Sequence, residues 1–116
     1  MNMPTFRRSA AAGHAHEHPG VRVQATWHGT ILADSHRTII IEGNHYFPPE
    51  DVSTEFLTES GRHTTCPWKG EASYYDVVVD GSRNDAAAWY YPEPSEAAAE
   101  IRDYVAFWNG VTTDAF

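Results

Sequence analysis

One cysteine, one lysine and no long apolar run are the absences that bound this chain of 116 residues first. With Cys66 alone, neither an intrachain disulfide nor a cysteine-built zinc site can form, so packing must hold the fold. Positive charge is sparse: eight Lys and Arg stand against sixteen Asp and Glu, for a formal net charge of −8. Nucleic-acid binding needs clustered basic residues, so no nucleic-acid partner is expected. No apolar stretch approaches a membrane span, and residues 1–20 lack the apolar core of a secretory signal. No membrane partner is expected either, and the simplest location is cytoplasmic. A Gly-rich phosphate loop and a GxSxG motif are both missing, which leaves a standard NTPase or hydrolase unsupported.

What is present is aromatic. Apolar residues make up 41% and aromatics 13%, with four Trp and six Tyr, enough burial to offset the cost of ordering one core of single-domain size. Residues 1–20 contain Arg7, Arg8, a small-residue run from Ser9 to Gly13, and His14, His16 and His18. They read as a flexible N-terminal arm, with residues 21–116 as one domain. Histidines at every second position of an extended arm project from one side and suit a divalent ion. Nothing supplies a pre-ordered fourth ligand, so no metal site and no cofactor is expected.

From Val21 apolar and polar residues alternate, and His28-Gly29 reads as a hairpin turn into a returning strand, Thr30 to Ala33. Asp34-Ser35 reads as a second turn, followed by a β-branched strand from Thr38 to Glu42. Pro48-Pro49 after Tyr46-Phe47 places those residues at an edge or corner. Asp51 to Leu57 fits a strand or a short helical turn. Glu71 to Asp80 alternates up to Asp80-Gly81, and Ala86 to Tyr91 then reads as its hairpin partner. Ser95 after Pro94 is placed as an N-cap, and Ile101, Tyr104, Val105 and Trp108 recur at helical spacing before Gly110. The predicted fold is mainly β, a compact antiparallel meander or barrel-like sheet with one C-terminal helix.

The segment His63-Thr64-Thr65-Cys66-Pro67-Trp68-Lys69-Gly70 holds both the sole cysteine and the sole lysine. Pro67 and Gly70 suggest a rigid loop leading into the next strand. Cys66 has two readings, a buried structural thiol or a thiolate activated by Lys69 and His63. Lys69 also has two: an anion clamp or an amine of lowered pKa on one side, a solvated loop lysine on the other. Trp68, Tyr74, Tyr75, Trp89, Tyr90 and Tyr91 can wall a pocket for a flat ligand or fill the core. On a strand, Trp89 and Tyr91 share one face and Tyr90 takes the other. Glu50 and Asp51 are better placed to cap a turn or pair with Arg37 than to do acid–base chemistry.

Taken in order, Ala33-Asp34-Ser35, Tyr46-Phe47-Pro48, Asp51-Val52, Thr65-Cys66-Pro67-Trp68-Lys69-Gly70-Glu71-Ala72, Ala88-Trp89 and Tyr104-Val105-Ala106-Phe107 resemble the DUF427 family over roughly residues 21–107. The resemblance implies a compact, largely antiparallel β fold with no established biochemical role. The family has carried a nucleotidyltransferase-like label, which the acidic composition and missing phosphate loop do nothing to support. By position the resemblance implies a pocket near Arg37, Tyr46, Cys66, Lys69, Tyr74 and Trp89. Glu42-Gly43-Asn44-His45 is a short connection where members of the family often carry a longer one.

These readings converge on a small-molecule-binding domain whose pocket suits an anionic, partly planar metabolite. Lys69 would be the cation, Cys66 would lie beside it, and Trp89 with Tyr74 would form walls. Whether a reaction follows, with Cys66 or Lys69 catalytic, stays open. The alternatives are a non-catalytic interaction module or homodimer using aromatic surface and strand edges, and a thiol redox role for Cys66.

Overall fold

The computed structural model describes residues 15–17, as paired backbone, and residues 20–116. His14 and His18 of the N-terminal arm lie outside the described residues, as does the side chain of His16. Among the described residues ten strands succeed one another: β1 (Ala15–Glu17), β2 (Val23–Trp27), β3 (Thr30–Ser35), β4 (Ile39–Ile41), β5 (Asn44–Tyr46), β6 (Leu57–Cys66), β7 (Gly70–Val79), β8 (Ser82–Tyr90), β9 (Val105–Phe107) and β10 (Thr112–Ala115). All pair antiparallel, in three sheets ordered β1-β4-β5, β10-β2-β3 and β6-β7-β8-β9. The protein is thus mainly β, with little helix. Strand β1 falls within the segment read as an arm.

Three turns of the form Xaa-Gly close the β2–β3, β4–β5 and β7–β8 hairpins. His28-Gly29, Glu42-Gly43 and Asp80-Gly81 have successive φ values of 51° and 72°, 54° and 81°, and 49° and 81°. Two consecutive left-handed residues match the right-handed twist of the flanking strands, which is why such turns favour tight hairpins. The first and third were legible as turns. The second makes Asn44-His45 part of β5 rather than of a connection.

The four-stranded sheet is the middle layer. On one face Val77, Val79, Ala88, Val105 and Phe107 join Val23, Ala25, Leu32 and Ala33 of β2 and β3, with Phe47 meeting Phe107 edge to face at 5.7 Å. On the other face Ala72, Tyr74, Ala86, Tyr91 and Ala106 join Ile39, Ile41 and Tyr46 of β4 and β5, together with Ala98 and Ile101. Neighbours along β7 and β8 therefore serve different layers, the expected alternation of a strand buried on both sides.

Two expectations change in extent. The helical segment after Ser95 is a 3-10 helix, Glu96–Ile101, kinked at Ala98, and it ends before Asp103. Asp103 takes φ 64°, and Val105 to Phe107 then pair with β8 as β9, because the open edge of β8 offers backbone partners that a helix could not satisfy there. The His63 to Gly70 loop is mostly strand: His63 to Cys66 end β6, and only Pro67-Trp68-Lys69 connect to β7. Pro49–Asp51 and Thr54–Phe56 are short 3-10 turns, the helical option for that stretch.

Candidate functional site

Lys69 sits in the tight connection between β6 and β7, and the chain around it leaves little freedom. The Ser95 amide donates to the Lys69 carbonyl at 2.9 Å, and the Ser95 hydroxyl donates to the Trp68 carbonyl. Ser95 thus stands at the N-cap position, but its hydroxyl clamps the loop instead of capping. Gly70, at φ 114°, passes so close beneath residues 93–95 that a Cβ would lie 3.3 Å from the Glu93 carbonyl oxygen. Only glycine suits both that φ and that approach. The lysine is pinned by its backbone, and its side chain is only 5% exposed.

A cavity of about 230 Å³ opens beside it, lined by Glu42, Asn44, Tyr46, Lys69, Tyr74, Trp89, Tyr91 and Trp108. Tyr46, from the end of β5, meets Trp89 edge to face at 6.1 Å and accepts its indole N–H at 3.1 Å. Trp108 meets the other side of Trp89 edge to face at 6.0 Å, held by donating its own indole N–H to the Ala86 carbonyl at 2.6 Å. Tyr74 shares a hydrogen bond of 3.0 Å with Thr64. Tyr91 is 5% exposed, and its hydroxyl has no hydrogen-bond partner among the described residues.

The charge in this cavity is balanced. Glu42, carried by the β4–β5 turn, accepts from Lys69 Nζ with one oxygen and from Trp68 Nε1 at 3.1 Å with the other. The ammonium also lies 5.0 Å from the Trp68 ring centre and 5.7 Å from that of Tyr91, within cation–π range. Burial pulls the Lys69 pKa down. The Glu42 hydrogen bond, with Tyr46, Cys66 and the Glu42 charge, outweighs that and holds it above the ordinary lysine value. Lys69 is therefore a cation at neutral pH, which removes the reading of an amine with lowered pKa. Burial raises the Tyr46 pKa, against the Trp89 hydrogen bond and Lys69, and burial raises that of Tyr91, so both phenols stay protonated as donors.

Of the residues singled out from sequence, Tyr46, Lys69, Tyr74, Trp89 and Tyr91 converge on this cavity. Arg37 does not line it; its guanidinium contacts Glu50 at 3.0 Å and Asp51 at 3.2 Å, the local pairing that its neighbours suggested. Cys66 is half-buried and packs beside the aromatic cluster without lining the cavity. Tyr75 and Tyr90 stack at 4.5 Å on the opposite face, where Tyr90 donates to Glu59 at 2.5 Å and His63 Nδ1 lies 3.1 Å from Ser73 Oγ. Glu42, Asn44 and Trp108 complete the lining. Glu42 carried no signal by residue type, since its contact with Lys69 depends on where the β4–β5 turn sits in the fold.

No group of three or more His, Cys, Asp or Glu suited to a metal occurs among the described residues, and none of their helices is long and apolar enough to cross a membrane. Residues 15–116 match the model of a family described as a domain of unknown function, DUF427. No curated protein matches the chain.

Proposed function

Because the chain belongs to the DUF427 family, a membership that brings no activity with it, we propose from the site's geometry that it binds a small, planar, anionic metabolite between the aromatic walls and Lys69. The observation that carries this reading is a lysine side chain only 5% exposed beside an otherwise largely aromatic cavity. Burying an ammonium costs several kcal/mol even after relaxation, so a lysine there needs an anion; Glu42 supplies one from a 44% exposed position, where a ligand's anionic group can share or take its place. The unpartnered Tyr91 hydroxyl and the Tyr46 hydroxyl add hydrogen-bonding groups that can orient a ligand. The cavity volume of about 230 Å³ falls below the roughly 300–1,000 Å³ of drug-sized sites, which favours a single ring over a nucleotide. Lys69 serves as a charge and not a nucleophile, and the cytoplasmic location expected from composition fits a metabolite-binding role.

A thermal-shift panel of single-ring carboxylates and phosphates, run on the wild type and on Lys69→Met, tests this. A ligand at a hundred times its Kd adds about 2.7 kcal/mol, roughly 10 °C for a chain of this size. A shift lost in Lys69→Met supports the reading; no shift across the panel, or one retained in the variant, refutes it. A second reading, an interaction module, draws on β6, a ten-residue edge strand, and on Ile31 and Trp108, 46% and 42% exposed. A concentration-dependent dimer that shows no ligand shift would favour it.

A further inference from the structure

Glu42 already fills the place that the ligand's charge would take. Both of its oxygens are used: one accepts from Lys69 Nζ, the other from Trp68 Nε1 at 3.1 Å, so a planar carboxylate is gripped by two donors on adjacent residues. The two halves of this ion pair differ in exposure. Lys69 is 5% exposed and its loop is clamped by Ser95. Glu42 is 44% exposed and stands at the tip of a two-residue hairpin, on a left-handed residue. The partner that solvent reaches is the carboxylate.

Resting on the reading of the cavity as a binding site, we propose that its ligand is a single-ring carboxylate whose carboxylate replaces that of Glu42 at Lys69 and Trp68, Glu42 turning out into water. Such an exchange keeps the buried ammonium compensated throughout, which a neutral ring cannot do. Glu42 gains hydration, and the ring gains burial against Tyr46, Tyr74, Trp89 and Tyr91. One cation and one indole N–H match the single charge and two oxygens of a carboxylate; a phosphate dianion would be left under-compensated. Glu42 is then an internal competitor at high local concentration, weakening every anion and excluding those that do not fit its two donors.

The test titrates wild type, Glu42→Asn and Glu42→Gln with benzoate, benzamide and phenyl phosphate, read by calorimetry and by the fluorescence of the tryptophans. Asn-Gly is the preferred pair for this turn, so Glu42→Asn keeps the hairpin while withdrawing the carboxylate. Benzoate should bind the wild type weakly and both variants roughly tenfold more tightly, a gain of about 1.4 kcal/mol. Benzamide should gain nothing, and phenyl phosphate less than benzoate. Benzoate binding that is unchanged or weaker in both variants, or an equal gain by benzamide, overturns the proposal while leaving the cavity a binding site. A larger gain by phenyl phosphate overturns the carboxylate assignment. If none of the three binds any form, the binding reading falls and this inference with it.

Discussion

Removing either member of the Glu42–Lys69 pair breaks the same contact, yet the two losses should differ severalfold in cost. Lys69→Met keeps most of the unbranched stem of the side chain and removes its charge. The carboxylate left behind is 44% exposed and can be hydrated where it stands, so the change should cost no more than about 1 kcal/mol. Glu42→Gln keeps the shape of the turn residue but leaves an ammonium in a site only 5% exposed. Breaking a buried pair this way costs about 3–5 kcal/mol when the remaining charge is fully enclosed. The glutamine oxygen still accepts one hydrogen bond, which brings the expected loss to about 2–3 kcal/mol. At roughly 4 °C per kcal/mol for a chain of this size, Glu42→Gln should melt about 8–12 °C below the wild type and Lys69→Met within about 4 °C of it. Circular dichroism melts at neutral pH, with urea midpoints as a check on two-state behaviour, measure both. Equal losses, or a larger one for Lys69→Met, would refute the reasoning and mean that the lysine stem's packing outweighs its charge.

Three further outcomes follow from contacts away from the pair. Asp76 accepts the Ala86 amide at 2.7 Å where the β7–β8 register shifts, and also pairs with Arg83, so Asp76→Ala should cost about 1–3 kcal/mol in urea unfolding, and Asp76→Asn clearly less. The hydrogen bonds from Arg22 and Gln24 hold Asp34 down to about 2; its contribution is complete above the ordinary carboxylate range and disappears as pH falls through about 2. The melting difference between wild type and Asp34→Asn should therefore shrink between pH 4 and 2, by the rule for a depressed carboxyl, and a constant difference would contradict the pairing. Burial raises the pKa of Tyr46, Tyr75, Tyr90 and Tyr91, so their stabilisation holds below about pH 10 and fades as pH rises further. Absorbance at the tyrosinate band should show fewer ionised tyrosines near pH 10.5 in the native chain than in urea, a gap that Tyr91→Phe narrows.

Local turn chemistry made much of the fold legible. His28-Gly29 and Asp80-Gly81 announce their hairpins because two left-handed residues in a row leave few alternatives, and the alternation of β7 survives burial on both sides. Strand β6 is hidden because it is an edge: its run from Thr58 to Thr65 is polar on both faces, and it is a strand by virtue of pairing with β7 rather than by hydrophobic period. Ile101, Tyr104, Val105 and Trp108 mimic a helix, yet Ile101 and Val105 pack into different layers on either side of the left-handed Asp103. The cavity lining was legible where side-chain type and local position suffice, at Tyr46, Lys69, Tyr74, Trp89 and Tyr91. It was not legible at Glu42, whose role depends on a turn bringing β4 and β5 against the β6–β7 connection, 27 residues away in sequence. Arg37 engages Glu50 and Asp51, the pairing that the sequence offered beside its placement in the pocket.

The doubly covered middle sheet separates two kinds of selection within one stretch of chain. Along β8 and the residue after it, Trp89 and Tyr91 face the cavity, while Ala88 and Tyr90 face the opposite packing layer. Along β7, Tyr74 faces the cavity, and Ser73 and Tyr75 do not. A library that varies positions 74, 89 and 91 would reshape the cavity wall while leaving the second layer as it is, and one that varies 75, 88 and 90 would tune stability while leaving the wall intact. In such a sheet, drift in ligand preference and drift in robustness can proceed on alternate residues, one position apart and nearly independent of each other.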